Sequence, residues 1–431
     1  MKMQTPVLPK APAPSKASNP MAQWPRPLPL HLSLQTMTWL SSLAALSGLK
    51  NGSLPWRTGL KKAAEKLQKS LEKADPDLPA LVAAVDAEAC RRLRTFTDGV
   101  TRYRDHPRPR RRALPEFWRQ GSTRVLNYGI HDGPGLPGAP VLVVPSLINR
   151  GTILDLTEKR SLMRHLAAEG FWPFLVEWGA PGEDERNFDL SDYICGRLEP
   201  ALDKICRTAG QAPAVVGYCM GGNLALALTV RKPVQVGALA LLATPWDFHA
   251  GPAGTVKMLK VMAPGLTAMI GQLGELTVDV LQAMFTTLDP YLTTLKFQRF
   301  ATLETGSEKA RQFVALEDWL NDGVPLVGPV AEECLIGWYV ENTPAKGAWK
   351  VGGTPVLPDE VKVPALVVIP TRDHIVPPGS ATALADAIPE AQRMTLAAGH
   401  IGMVAGGRAK SMLYKPLGLW LCKTLTKVNQ S

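Results

Sequence analysis

Residues 215–228, VVGYCMGGNLALAL, decide the fold that we expect for this chain. An apolar, β-branched run leads into a short turn, and an apolar run suited to a helix follows at once. The turn reads Gly-Tyr-Cys-Met-Gly, which is the pattern of a nucleophile elbow with Cys219 in the position of the nucleophile. Glycine at both ends of the turn lets the strand and the helix approach without Cβ clashes. The stretch therefore predicts a cysteine raised on a strained strand-to-helix turn.

The position of Cys219 has chemical consequences. A helix that begins directly after it brings partial positive charge to the sulfur, which favours the thiolate. The backbone N–H of Met220 should point toward the oxyanion that forms when a carbonyl is attacked. The alternative is a structural thiol buried in a tight turn. The other cysteines have ordinary contexts, and we interpret them as structural thiols: Cys90, Cys195, Cys206, Cys334 and Cys422.

Strands and helices alternate on both sides of this stretch. VLVVPSLI and FWPFLVEW precede it, and VGALALLATPW and VKVPALVVIP follow it. Continuous apolar runs of this kind indicate strands that are buried on both faces of a parallel sheet. The alternation with helical runs predicts an α/β protein with a mostly parallel, doubly wound sheet.

The domain boundaries follow from changes in composition. The α/β core should comprise residues 119–247 and 360–431. Residues 248–359 are rich in methionine, threonine and aromatic residues and are too long for a loop, so they predict an inserted, mostly helical cap. Residues 36–118 predict an N-terminal region of amphipathic helices, which pack on the main domain or attach to a membrane or granule surface. Residues 1–35 are proline-rich and predict a disordered lead.

Composition narrows the classes of partner. The formal net charge of +10 suits an anionic partner such as coenzyme A, but a basic balance more often serves solubility alone. The densest basic run, residues 102–112, is either a solvated linker or an attractor of an anionic substrate tail. Six scattered cysteines without a C-x-x-C pair indicate neither a metal site nor a disulfide framework and fit a reducing cytoplasm. No apolar run reaches the roughly 18 residues of a membrane span. We expect a cytoplasmic protein that is not transmembrane and binds no nucleic acid.

A thiol nucleophile needs a base and an acid that orients the base, in the chain order nucleophile, acid, base. The strand PALVVIP is followed by Asp373, and the strand RMTLA by His400, so these residues fall where the acid and the base should lie. His374 is the alternative base because it adjoins the acid. Since neighbours on an extended loop point apart, we place His374 in the substrate pocket instead.

Four motifs in this order resemble the core of polyhydroxyalkanoate synthases: VVPSLINRGTILDL, GYCMGG, RDHIVP and GHIGMVAG. The resemblance covers roughly residues 95–250 and 360–425. It implies an α/β-hydrolase fold with the triad named above. It also implies that the loop after VLVVP supplies a second oxyanion donor, for which we choose the backbone N–H of Ile148. Asp247 matches an aspartate of the family, with substrate binding and a structural role both open.

The function implied by the resemblance is acyl transfer. The enzyme would polymerise 3-hydroxyacyl-CoA through an acyl group on Cys219 and release coenzyme A, with the thioester as substrate and no resident cofactor or metal. A homodimer and a polyester storage granule are the partners implied. A second hypothesis keeps the triad but uses water, giving a polyester depolymerase or acyl-CoA thioesterase; it is motivated by cap sequence such as FVALEDWLNDGVPL, which departs from the family. A third is a non-catalytic granule-associated protein.

Overall fold

The computed structural model describes residues 24–108, 113–129 and 138–428. Most of the predicted lead and the end of the basic run 102–112 lie outside the described residues. Eight strands form the central sheet, namely β1 (Glu116–Gln120), β2 (Thr123–Asn127), β3 (Pro140–Val144), β4 (Trp172–Glu177), β5 (Ala214–Tyr218), β6 (Ala238–Leu242), β7 (Ala365–Pro370) and β8 (Gln392–Leu396). They lie in the order β1-β2-β4-β3-β5-β6-β7-β8. The described residues also form three small two-stranded sheets.

Helices cover both faces of this sheet. Every residue of β3, β5 and β6 is buried, as their continuous apolar runs predict. Neighbouring strands among β3 to β8 run parallel to each other, whereas β1 and β2 run antiparallel to their neighbours. The described helices are α1 (Leu28–Lys50), α2 (Lys61–Ala74), α3 (Leu78–Asp105), α4 (Leu162–Ala168), α5 (Leu190–Tyr193), α6 (Glu199–Ala209), α7 (Met220–Arg231), α8 (Ala253–Leu273), α9 (Val278–Thr286), α10 (Leu292–Ala301), α11 (Glu308–Asn321), α12 (Gly328–Glu332), α13 (Pro378–Ala387), α14 (His400–Ala405) and α15 (Lys415–Val428).

The hydrophobic core has a layer on each side of the sheet. Leu202 of α6 and Leu226 of α7 belong to the layer on one side. Leu166 of α4 and Leu421 of α15 belong to the other. Burial of both faces is what the doubly wound α/β prediction requires, and that fold class is confirmed.

The N-terminal region requires a correction. Helix α1 begins at Leu28, so the prediction of disorder for residues 28–35 is wrong. Prolines in this stretch suggested disorder, but proline is tolerated in the first turn of a helix, where its missing N–H would have no partner. Strand β1 likewise begins at Glu116, inside the predicted helical region that ended at residue 118. The helices α8 to α12 lie between β6 and β7, in the stretch predicted as a cap.

The N-terminal helices pack on this helical insertion. Phe96, Val100 and Tyr103 of α3 form a buried cluster with Phe297 and Phe300 of α10. The ring of Tyr103 meets that of Phe297 edge to face, with centroids 5.6 Å apart. Helix α3 therefore fixes α10, and through it the insertion, to the N-terminal region.

A single glycine allows this close approach. A Cβ at Gly99 would overlap the carbonyl oxygen of Phe297 and lie 2.9 Å from its carbonyl carbon. Gly99→Ala should therefore push α3 away from α10 and destabilise the protein by about 1–3 kcal/mol, as overpacking does. Thermal unfolding measures the change. Gly265→Ala is the control, because the added methyl meets nothing within 4 Å on exposed α8 and should be neutral or stabilising. Equal melting temperatures for wild type and Gly99→Ala would contradict the packing argument.

Two further features concern all described residues. None of their helices is long and apolar enough to cross a membrane. In the same parts of the chain, no three His, Cys, Asp or Glu side chains are grouped so that they could hold a metal ion.

Candidate active site

Cys219 stands between β5 and α7 in a strained backbone conformation. Its φ of 56° and ψ of −132° lie where a non-glycine residue is rarely found, at a cost of about 1–3 kcal/mol. Its N–H donates to the carbonyl of Leu242 at the end of β6, 2.9 Å away, which holds the turn against the neighbouring strand. A Cβ at Gly221 would collide with the carbonyls of Val144 and Pro145. The tight contact between α7 and the end of β3 thus depends on glycine, as the elbow pattern predicts.

Asp373 and His400 meet at this turn. His400 is the first residue of α14, and its Nδ1 lies 2.6 Å from Oδ2 of Asp373 in the loop after β7. The other carboxylate oxygen, Oδ1, accepts the backbone N–H groups of Ile375 at 2.8 Å and Val376 at 2.9 Å, so the acid is held in one orientation. The thiol of Cys219 forms a hydrogen bond with the His400 side chain. With Nδ1 on the acid, Nε2 is the ring atom left for the sulfur.

The electrostatics of the group favour a charged imidazole. Burial lowers the pKa of His400, but the negative charge of Cys219 and the hydrogen bond that His400 donates to Asp373 outweigh it, and that pKa is raised to about 10. Negative charge on the sulfur and a proton on the imidazole therefore stabilise each other. A thiolate is the reactive form of cysteine toward a carbonyl carbon.

Two backbone N–H groups were predicted to bind an oxyanion. Met220 is the first residue of α7, directly after the nucleophile, at the positive end of the helix dipole. The N–H of Ile148, in the loop after β3, instead donates to the hydroxyl of Ser146 at 3.2 Å. Ser146 was not singled out from the sequence. Ile148 can serve an oxyanion only if that hydrogen bond is exchanged, so its role stays a prediction.

The cysteine opens into a cavity of about 330 Å³. This lies at the lower end of the range for small-molecule sites. The wall is built by separate parts of the chain: Ser146 and Ile148 after β3, Phe285 of α9, and His31 of α1. The cavity therefore exists only when the N-terminal helices, the α/β core and the insertion are all in place.

Comparison with known proteins places the chain in a family. A family model described as the alpha/beta hydrolase fold matches residues 135–406, more than half of the chain. The poly(3-hydroxyalkanoate) polymerase subunit PhaC of Synechocystis sp. is 30% identical over 295 residues, which cover 65% of this chain and 77% of that protein. The chain belongs to the poly(3-hydroxyalkanoate) polymerase family of α/β hydrolases. The resemblance inferred from the four motifs is confirmed, and so is the prediction of an acyltransferase enzyme.

Other members of the polymerase family match to the same extent. The subunit of the same name from Allochromatium vinosum is 28% identical over 299 residues, covering 68% of this chain and 84% of its own. That of Thiocystis violacea is 28% identical over 286 residues, covering 65% and 80%.

In this polymerase-family chain, the two remaining predicted site residues, His374 and Asp247, lie in different places. His374 lines the cavity together with Cys219 and His400, where the sequence placed it. Asp247 is not among the described residues that line the cavity. Its Oδ1 accepts the N–H of His249 and the side-chain amide of Asn342, each at 2.8 Å. Asp247 thus ties the end of β6 to the insertion, which is the structural role that the sequence left open, and its assignment to substrate binding stays a prediction.

Sequence reasoning missed several polar residues around the polymerase-family site. The hydroxyl of Tyr218 donates to the carbonyl of His400 at 3.2 Å and so positions the first turn of α14. His31, Lys296 and Glu317 line the cavity from the N-terminal helix and the insertion. Tyr218 stood beside the nucleophile in the elbow motif and could have been noted. The other three could not, because only tertiary packing brings them to the cavity.

Replacing Cys219 by alanine should lower the pKa of His400. The folded-state pKa is raised from 6.5 to about 10, so the stability that this imidazolium contributes is fully present below about pH 6.5 and is lost as pH rises through about 10. Without the sulfur's charge the loss should begin at lower pH. Titration of the ring protons by NMR checks this, with His400→Gln identifying the resonance. An unchanged pKa in Cys219→Ala would show that the sulfur does not carry the shift.

Proposed function

We propose that the protein polymerises 3-hydroxyacyl groups from coenzyme A thioesters into a polyester, through an acyl group bound to Cys219. The observation that carries the proposal is the hydrogen-bonded group of Asp373, His400 and Cys219 on the elbow of a polymerase-family chain. The names of the family relatives, which are poly(3-hydroxyalkanoate) polymerase subunits, support the substrate class.

Acylation begins with the thiolate. The sulfur of Cys219 attacks the thioester carbonyl, and the backbone N–H of Met220 stabilises the oxyanion. The bond from the carbonyl carbon to the sulfur of coenzyme A breaks, and the leaving thiolate takes the proton of the His400 imidazolium. One thioester has replaced another, so the acyl group remains activated. Asp373 holds the imidazole in the tautomer that this exchange needs.

Chain growth uses the same base in its neutral form. His400 removes the proton from the 3-hydroxyl of an incoming hydroxyacyl group, whose oxygen attacks the thioester carbonyl on Cys219. An ester bond forms, the bond from carbon to sulfur breaks, and the thiolate is regenerated beside the imidazolium. The elongated chain then carries the coenzyme A thioester of the incoming unit, and it can acylate Cys219 again.

Water competes with the hydroxyl for the same thioester. His400 is 8% exposed and Asp373 5% exposed, so bulk solvent has little access to the base and the acid. Exclusion of water favours transfer to a bound hydroxyl over hydrolysis. The thioester is thus the sole group that the cycle requires from outside, and we propose no resident cofactor. Dimerisation, a cytoplasmic location and attachment to a storage granule stay predictions.

Intact-protein mass spectrometry after incubation with 3-hydroxybutyryl-CoA tests the proposal. We expect mass increments of one or more hydroxybutyryl units on the wild type and none on Cys219→Ala. Cys206→Ala is the matched control, because burial raises the pKa of that thiol to about 11 and the variant should keep the adduct. Free 3-hydroxybutyrate without chain growth would favour the hydrolase hypothesis. No adduct and no turnover with any tested thioester would leave the non-catalytic hypothesis.

A further inference from the structure

Helix α10 has three faces that meet different surroundings. Phe297 and Phe300 are buried against α3, whereas Thr293 and Lys296 line the cavity that begins at Cys219. The remaining face is apolar but exposed to solvent. An apolar surface that is left in water at the edge of a binding cavity indicates a binding surface of its own.

This exposed surface is formed by Tyr291, Leu292 and Leu295, together with Leu288 of the preceding turn. Their exposed fractions are 44% for Leu288, 53% for Tyr291 and for Leu292, and 47% for Leu295. The N–H of Leu295 donates to the carbonyl of Tyr291 at 3.0 Å, so these two residues are one helical turn apart. Leu292 is three positions from Leu295 and is its neighbour on the helix surface. We call the four residues the α10 apolar face.

The α10 apolar face reaches the mouth of the cavity. Leu288 and Leu292 line the cavity and are also exposed. The other exposed residues of the described cavity wall are Asp289, in the same turn, and His374. A residue that both lines a cavity and is exposed marks an opening, so the cavity opens beside this face.

The proposed product must leave through an opening. The cavity of about 330 Å³ is at the lower end of the range for small-molecule sites, so a growing polyester soon exceeds it. Such a chain carries alkyl groups and uncharged esters, and its alkyl groups gain free energy on contact with apolar side chains. The α10 apolar face offers that contact directly outside the cavity.

The tail of coenzyme A suits this side of the cavity less well. That tail is anionic, and Asp289 at the opening is acidic. Each Lys and Arg side chain of the described cavity wall is already paired with an acid at 2.7–2.8 Å. The pairs are Arg26–Asp279, Arg150–Asp322 and Lys296–Glu317.

A second copy of the chain is also a poor match for this face. A stable interface takes about 20–30 residues on each side, and the α10 apolar face has four. The polyester chain is therefore the occupant that agrees with the size, the charge and the position of the face.

We propose that the α10 apolar face binds the growing polyester where it leaves the cavity, and that it retains the chain between additions. The inference rests on the proposed function. In that cycle the elongated chain leaves Cys219 as a coenzyme A thioester and must return to it, so only non-covalent contacts hold the chain meanwhile. Contacts outside the cavity therefore determine how many units are added before the chain escapes.

The test uses the full-length protein with 3-hydroxybutyryl-CoA. Mass spectrometry counts the hydroxybutyryl units on Cys219 and on the released coenzyme A thioesters. Leu295→Asp puts a charge on the α10 apolar face at a residue that is not among the described residues of the cavity wall. We expect the mean chain length at release to fall about fivefold, the effect of losing one half-exposed apolar contact. Short oligomeric coenzyme A thioesters should accumulate.

Two further variants serve as controls. Leu295→Met stays apolar and should keep the chain length of the wild type. Leu419→Asp introduces the same charge at a leucine of α15 that is 63% exposed and is not among the described residues of the cavity wall, so it should also keep that length. The rate of the first acylation identifies a folding defect, because poorly folded protein lowers that rate.

The outcomes distinguish this inference from the proposed function. Equal chain lengths in the wild type and Leu295→Asp would overturn the inference, while adducts on Cys219 upheld the function. Equal shortening in Leu419→Asp would also overturn it, because surface charge in general would then be the cause. A lower assembly mass of Leu295→Asp in light scattering would overturn it in favour of an interface between copies. Absence of any adduct in the wild type would overturn the proposed function itself, and this inference with it.

Discussion

Replacing His400 by glutamine should slow acylation of Cys219 by at least about 10⁴-fold. Glutamine can still accept a hydrogen bond, but it cannot hold or return the proton that the departing coenzyme A needs. The imidazolium beside the sulfur is also lost, and with it the charge that favours the thiolate. The first-turnover rate with 3-hydroxybutyryl-CoA, measured by rapid quench and mass spectrometry, gives the ratio to wild type.

His374→Gln is the matched control for this prediction. His374 is next to Asp373 in sequence and lines the same cavity, but it is exposed, and the Asp373 carboxylate hydrogen-bonds to His400 instead. Its replacement should change the acylation rate by less than about tenfold, the range of a lost neutral hydrogen bond. A loss of rate in His374→Gln as large as that in His400→Gln would show that the base has been assigned to the wrong histidine.

Gly221→Ala should have the largest effect on folding. The added Cβ would lie 2.5 Å from the carbonyl oxygen of Pro145 and closer still to that of Val144. Both partners are backbone at the end of β3, so no side chain can turn away, and α7 must separate from the sheet. We expect a loss of at least about 3 kcal/mol in the free energy of unfolding, at the upper end for overpacking. Chemical denaturation measures it, and little soluble protein is the extreme outcome.

The neighbouring glycine provides a contrasting case. A Cβ at Gly222 would overlap the side chain of Thr244, not backbone. Gly222→Ala should therefore be destabilising alone and largely rescued in a double-mutant cycle by Thr244→Gly, which removes the three atoms nearest to the added Cβ. The same Thr244→Gly change should not rescue Gly221→Ala. Rescue of both variants would show that general loosening, and not the specific contact, relieves the strain.

The elbow and its partners were predictable because their signals are local. The nucleophile pattern occupies adjacent residues, the acid follows the buried apolar strand β7, and the base follows the next strand, β8, so chain order was enough to name Asp373 and His400. The fold class followed from the continuous burial of strands such as β5. Periodicity and turn chemistry carry this information without knowledge of tertiary structure.

What could not be predicted depends on contacts between distant parts of the chain. His31 is 265 positions before Lys296, and nothing in either local sequence indicates that both face one cavity. The start of α1 was misplaced because proline at a helix start looks like proline in a disordered segment. The contact between the Ile148 N–H and the Ser146 hydroxyl depends on the conformation of one loop.

The cavity wall also links the identity of the product to local stability. Helices α1 and α10 form part of the cavity wall. Helix α3 holds α10 through the contact of Gly99 with Phe297, which leaves no room for a methyl group. Elements at the periphery of a fold open at lower free energy than its central sheet. In the proposed cycle, each such opening should admit water to the acyl group on Cys219 and end a chain as a free acid. The ratio of free acid to polyester in the product would then report how often these peripheral helices open. Mild heating should raise this ratio at temperatures well below the unfolding of the sheet.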